Sequence, residues 1–183
     1  MSTRTMMTLE EFESVCERLG PCELVRGEVI ELSPGGLEHS RITVNVAVVL
    51  SNWATETGLG RVLSGEAGIR VEADPPTVRG ADAAYLSYQR WPKGRELIGF
   101  TTVVPELVVE ILGKGQGWRE MVEKCGEYLR MGVLRVWVID PDTRRVHVFR
   151  PDAEPAAISE TGQLCDEVVL PGFSCAVARL FED

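Results

Sequence analysis

At 183 residues, 44% hydrophobic and 26% charged, the chain is long enough to bury a sizeable core, and one domain is expected over residues 1–183. Its net charge of -9 excludes a protein that coats nucleic acid by bulk electrostatics, because phosphate binding draws on Lys and Arg, so any such contact needs a local basic cleft. No apolar run approaches the roughly 20 residues of a membrane helix. Five cysteines without a CxxC pair, in a chain with no evident secretory leader, point to reduced thiols in the cytoplasm.

Met1 to Met7 reads as a loose start, and Thr8-Leu9-Glu10-Glu11 is a capping-box signature for a helix to about Arg18, ended by Gly20-Pro21. Cys22 to Val25 and Glu28 to Leu32 flank Arg26-Gly27 as the arms of a tight hairpin, with Glu23 on the first arm. The stretch from Glu38 to Thr57 lacks Gly and Pro and predicts a helix that turns Ile42, Val46, Val49, Leu50 and Trp53 inward, although its many valines would also suit a strand. From Gly60 the pattern is β: Arg61 to Ser64, Gly68 to Glu72, a stop at Asp74-Pro75-Pro76, then Ala81 to Leu86. Ser87 to Thr102 has no periodicity and is expected to be an exposed loop with room for a short helix.

The centre of the chain is Val104 to Pro141. The apolar run Leu107 to Leu112 is short and β-branched, which favours a buried strand, yet Glu110 stands in its middle. A carboxylate among packed Val and Ile costs several kcal/mol unless a cation, a metal or hydrogen bonds compensate it, so Glu110 lies either on a solvated face or in a site. Alternation puts Glu106, Val108, Glu110 and Leu112 on one face and Leu107, Val109 and Ile111 on the other. After the glycine-rich Gly113 to Gly117, the spacing of Trp118, Met121, Val122, Cys125, Tyr128 and Leu129 predicts a helix stopped by Gly132. Val133 to Ile139 is a second strand, which makes a strand–helix–strand unit with a right-handed crossover. On the helical wheel Lys124 falls at the edge of the apolar stripe and can extend toward Glu110, whereas Glu120, Glu123 and Glu127 point away. Arg145 to Arg150 pairs with the second strand as a hairpin, and the tail after Pro151 suggests short edge strands and a closing turn at Val177 to Phe181.

Asp82 and Glu110 on separate strands, with Lys124 on the helix after the second, form the constellation that carries chemistry. Two converging carboxylates suit a hard cation such as Mg²⁺ that keeps several waters, and a nearby lysine can orient or deprotonate one of them. Each residue also has a plain structural reading. Asp82 after Gly80-Ala81 on its own reads first as a strand start, and Lys124 four residues after Glu120 has the favourable spacing of a surface ion pair, its place on the stripe edge being the one hint against it. A small-molecule hydrolase finds no support, since there is no GxSxG elbow, phosphate-binding glycine motif or zinc-ligand set.

The string Glu23-Leu24-Val25-Arg26-Gly27-Glu28, His39, Asp82, Pro105-Glu106-Leu107-Val108-Val109-Glu110, Lys124 with Tyr128, and Trp137-Val138-Ile139-Asp140-Pro141 resembles the restriction endonuclease family within the PD-(D/E)XK nuclease superfamily. The resemblance runs from about Glu23 to Phe181. It implies an α/β (α+β) fold: a restriction-endonuclease-like mixed central sheet flanked by helices, with extra antiparallel hairpins. It implies Asp82, Glu110 and Lys124 as catalytic residues with Glu23 as an auxiliary acid, and Mg²⁺, with Mn²⁺ as a substitute, on Asp82, Glu110 and the carbonyl of Ile111. It further implies DNA as substrate and a homodimer, for which Trp91, Phe100, Val103 and Val104 are the candidate apolar patch. Departures are Ala81 where members commonly carry proline, and Gly113-Lys114-Gly115-Gln116 where they carry an acidic loop, with Lys114 a rival lysine. These leave open a degenerate member that binds DNA or protein without cleavage. Glu23 as a solvated strand end and His39 as a helix-start hydrogen bond are equally compatible readings.

Overall fold

The computed structural model describes residues 6–96 and 98–183. Thr8 caps helix α1 (Leu9–Leu19) in the anticipated capping box with Glu11, and its single buried residue, Phe12, lies against Leu24 and Val78. Residues 1–5 of the expected loose start lie outside the described residues; Met7 is fixed, its amide donating to Gly27 O at 2.8 Å. Strands β1 (Cys22–Val25) and β2 (Glu28–Glu31) form the hairpin, with both turn residues at positive φ, Arg26 at 51° and Gly27 at 81°. This pair matches the right-handed twist of the arms, which is why glycine stands second.

The valine-rich segment is helical: α2 spans Leu37–Thr57, and the buried residues Ile42, Val46, Leu50 and Trp53 recur at helical spacing. Burial of that stripe outweighs the strand preference of the β-branched residues. Strand β3 (Gly60–Ala73) joins the two short runs expected from sequence into one strand, and its partner β4 (Pro76–Ser87) starts earlier than Ala81. The two runs were separable in sequence because Gly65 and Glu66 interrupt the alternation; in the fold they are a β-bulge, at φ 85° and 59°, across from Asp82.

The segment Ser87 to Thr102 is not the wholly exposed loop expected. Trp91 and Thr101 are buried, Phe100 stacks on Phe12 with centroids 5.5 Å apart, and Thr101 exchanges main-chain bonds with Gly68 and Arg70. Glu106 anchors its far end by accepting from the Ser87 amide at 3.0 Å and from Arg90 at 3.2 Å. Trp91 is buried, Phe100 covers Phe12 and Val104 packs on the core, so the expected apolar patch is partly covered, with Phe100, Val103 and Val104 half-buried.

Strand β5 (Leu107–Ile111), helix α3 (Trp118–Met131) and strand β6 (Arg135–Asp140) form the crossover unit, with β5 and β6 parallel from Leu107↔Arg135 to Ile111↔Ile139. Antiparallel β7 (Arg145–Arg150) and β8 (Ala153–Ser159) extend the sheet, whose order is β2-β1-β4-β5-β6-β7-β8 with β3 also on β4. The tail adds β9 (Gln163–Asp166), β10 (Leu170–Ala176) and a 3₁₀ turn at Val177–Phe181. Leu107, Val109 and Ile111 pack with α2, while Val108 faces Met121, Cys125 and Tyr128 of α3. One face of β5 is therefore wholly apolar, and the face toward α3 carries Glu110. No helix among the described residues is long and apolar enough to cross a membrane.

Candidate active site

Register brings the two strand carboxylates together. Ala83 pairs with Val109 between antiparallel β4 and β5, so Asp82 and Glu110 are neighbours across the ladder. Asp82 is buried and accepts from the Ile111 amide through Oδ2 at 2.7 Å. That bond continues the contact between β4 and β5 past their last register pair, Ala83↔Val109, and on the other side, where β3 bulges away, Ser64 Oγ donates to the Asp82 carbonyl at 2.8 Å. The other oxygen, Oδ1, lies 3.4 Å from His39 Nε2, on the first turn of α2. This contact with Asp82 raises the imidazole pKa against the opposing effect of partial burial.

Glu110 is 3% exposed and both of its oxygens are engaged. Lys124 Nζ donates to Oε2 at 2.8 Å and Tyr128 OH donates to Oε1 at 2.8 Å. Burial pushes the Glu110 carboxyl up to about 7, with the Asp82 charge adding to the rise and Lys124 opposing it. Lys124 is enclosed as well: its remaining bonds go to Glu23 Oε1 at 3.0 Å and to the Gly80 carbonyl at 2.9 Å. Three acceptors match the three N–H groups of an ammonium. Burial disfavours the charge, but Glu110 and Glu23 outweigh it and hold the lysine above its ordinary range. The alternative surface pair with Glu120 is not formed, and Lys114 is exposed on its loop.

Glu23 is a buried member of the site and not a solvated strand end. Its Oε1 also accepts from the Gly80 amide at 2.9 Å, and its Oε2 accepts from Arg79 Nη1 at 2.8 Å. Burial would raise its pKa, yet Lys124 and Arg79 together bring it below the ordinary carboxylate range. Arg79 is held in turn by Glu127 through Nε to Oε2 at 2.6 Å and Nη2 to Oε1 at 3.0 Å. Sequence reasoning missed this pair and placed Glu127 outward; the residue is 6% exposed. A helical wheel assigns polar residues outward by default, and only the arginine on β4 makes an inward glutamate tolerable.

Glu66 is the second missed acid. The bulge turns it toward Gly80, where a β-carbon would stand 2.4 Å from Glu66 Oε2, so glycine is what allows the approach. Burial of its carboxyl and the charge of Asp82 raise its pKa. The interruption of alternation at Gly65-Glu66 is the sequence signal that marked it.

The donor chemistry fits a hard divalent ion. Asp82 and Glu110 offer carboxylate oxygens from adjacent strands whose mutual repulsion a dication would relieve. Among the described residues no group of three His, Cys, Asp or Glu side chains stands at metal-ligand spacing. Such an ion would therefore complete its shell with main-chain carbonyl and water, as Mg²⁺ does.

Comparison with known proteins bears on family and fold. The family model named Uma2, described as "Putative restriction endonuclease", matches residues 9–178. The chain belongs to the Uma2 family. No curated protein matches it in sequence. Among solved structures, a chain from Anabaena variabilis ATCC 29413, described as a "putative nuclease belonging to DUF820", superposes with TM-score 0.81 at 20% identity, covering 96% of this chain and 97% of that one. At that identity the likeness establishes the fold, and the restriction-endonuclease-like sheet with flanking helices is the architecture of this Uma2 protein. The match begins in α1, ahead of the Glu23 start of the resemblance seen in sequence.

Proposed function

We propose that this Uma2 protein is a metal-dependent endonuclease that hydrolyses DNA phosphodiester bonds. The observation that carries the reading is the buried pair Asp82 and Glu110 on adjacent strands with the Lys124 ammonium 2.8 Å from Glu110. Asp82, Glu110 and the carbonyl of Ile111 would hold Mg²⁺ or Mn²⁺, which supplies Lewis-acid activation of the scissile phosphate and of a bound water.

Each side chain has a distinct task. Lys124, kept protonated by two carboxylates, cannot take a proton; it contributes positive charge where negative charge builds on the phosphate. Of the two roles open to it from sequence, deprotonating a water is incompatible with that environment, and orienting one requires an N–H that Glu110, Glu23 or the Gly80 carbonyl now holds. Glu23 acts as the auxiliary acid by fixing the lysine, and Tyr128 fixes the second oxygen of Glu110. His39 and Glu66 are the more accessible titratable groups beside Asp82, so they are placed to exchange a proton with solvent. Cutting both strands of a duplex takes two such sites, and a homodimer with a cytoplasmic location completes the proposal. Sedimentation as a monomer at micromolar concentration counts against the dimer.

The test is nicking or linearisation of plasmid DNA, and shortening of single-stranded DNA, by purified protein with Mg²⁺ or Mn²⁺, compared with Asp82→Ala. Activity in the parent and none in the variant supports the reading; equal traces overturn it. A second reading, a nuclease fold that binds DNA or protein without cutting, is favoured by the full occupation of Lys124 inside the protein and by Gln116, whose Oε1 accepts from the Gly113 amide at 3.2 Å in place of an acid. DNA binding by a folded parent that never cleaves, in either metal, would select it.

A further inference from the structure

Trp118 opens α3 at 42% exposure, whereas Trp53, Trp91 and Trp137 are 7%, 6% and 2% exposed. Its ring packs against His147, with centroids 4.6 Å apart at 58°, and against Phe149 at 6.2 Å. The contacts hold the ring in place while leaving much of it to solvent.

Its place relative to the site follows from register. Glu110 pairs with Val138 and Val138 pairs with His147, so the three share one row of the sheet. Row partners point to the same face, which puts His147 and the ring above it on the Glu110 face, two strand spacings or about 10 Å away. Three exposed basic residues lie on the neighbouring segments: Lys114 on the loop between Glu110 and Trp118, Arg119 next to Trp118 in sequence, and Arg145 two residues before His147 on its face. Acids share this region: Glu123 pairs with Arg119 at 3.4 Å, Glu120 is exposed on α3, and the Asp140 charge acts on His147. The exposed ring therefore stands on the same sheet face as the candidate catalytic carboxylates, with exposed basic side chains on neighbouring segments.

We propose that Trp118, backed by His147, is a stacking subsite for an unpaired nucleobase within a few nucleotides of the phosphate at Asp82 and Glu110. The proposal rests on the nuclease reading and narrows its substrate to strands whose bases are open. Base faces stack on aromatic rings without regard to sequence, while the basic side chains follow the backbone. A closed duplex hides those faces everywhere but its ends, so single-stranded or frayed DNA is preferred over blunt duplex.

Trp118 is also the reporter. In Ca²⁺ buffer, the oligonucleotide dT12 is expected to quench the emission of the exposed tryptophan, and an abasic strand of equal length and charge is not. Trp118→Ala should weaken dT12 binding by roughly 5- to 100-fold, measured by anisotropy, and Trp118→Phe should restore most of it. Unchanged circular dichroism and melting of both variants separates the effect from misfolding. Equal dT12 affinity in parent and Trp118→Ala, or equal quenching by the abasic strand, overturns the subsite and leaves the nuclease reading standing. Binding of neither dT12 nor duplex DNA by the parent overturns the nuclease reading itself.

Discussion

Arg79 and Glu127, 48 residues apart in the chain, meet inside the protein through two hydrogen bonds, at 2.6 and 3.0 Å. The same guanidinium reaches Glu23 at 2.8 Å, and Glu23 reaches Lys124 at 3.0 Å. A charge relay of structure therefore runs from the helix through β4 and β1 to the candidate catalytic lysine. Removing one member leaves buried carboxylates without their cation, so Arg79→Met should lower unfolding free energy by about 3–5 kcal/mol. Adding Glu127→Gln to that variant removes one of the stranded charges and should recover part of the loss in urea titrations. Independent, additive effects of the two substitutions would contradict the coupling.

Lys124 donates to Glu110 at 2.8 Å, so a metal on the proposed carboxylate pair would compete with it for that side chain. Lys124→Gln should abolish most cleavage, while Lys114→Gln, on an exposed glycine-flanked loop, should cost little. Without metal the Lys124→Gln protein should melt lower than the parent, because Glu110 and Glu23 lose their shared partner. Mn²⁺ should then raise its melting temperature by more than it raises the parent's, since a dication replaces the missing charge. An equal or smaller rise in the variant would show that lysine and metal do not share Glu110.

Metal binding can be assigned to the two carboxylates by calorimetric titration with Mn²⁺. A weak site is expected in the parent, because two side-chain ligands leave most of an octahedral shell to water. Glu110→Gln should lose it, and a variant that binds as the parent does would place the site elsewhere.

Asp82 has a structural bond besides its charge, the Ile111 amide at 2.7 Å. Asparagine can keep that acceptor and remove the repulsion with Glu110, so metal-free Asp82→Asn should melt at or above the parent. Asp82→Ala orphans a buried amide and should lose about 1–3 kcal/mol. A marked fall in Asp82→Asn would mean that the negative charge itself holds the fold.

Stability of the metal-free protein should depend on pH with opposed contributions, Glu23 on one side and Glu110, with the raised His39 and Glu66, on the other. Glu23, lowered by Lys124 and Arg79, stabilises above the ordinary carboxyl range, and that contribution is lost as pH falls through its depressed value. Glu110, raised from 4.5 to about 7, binds its proton more tightly when folded, so stability falls as pH rises across that interval. Chemical denaturation from about pH 5 to about pH 8 should show this decline in the parent and a flatter profile in Glu110→Gln. Identical slopes would remove Glu110 as its source.

What the sequence determined by itself was local and periodic. The capping box at Thr8, the hairpin at Arg26-Gly27, the glycine stop at Gly132 and the alternation of Leu107 to Leu112 each follow from backbone sterics or a repeat that needs no distant partner. The misplaced Glu110 marked the site because a lone carboxylate in an apolar strand has few tolerable explanations. Only tertiary structure could decide what compensated it. The inward turn of Glu127, the burial of Glu23 and Arg79, and the arrival of Glu66 opposite Asp82 depend on charges from β1, β3, β4 and α3 meeting across the fold. A buried charge is stable only beside its partner, and sequence spacing carries no record of which segments become neighbours.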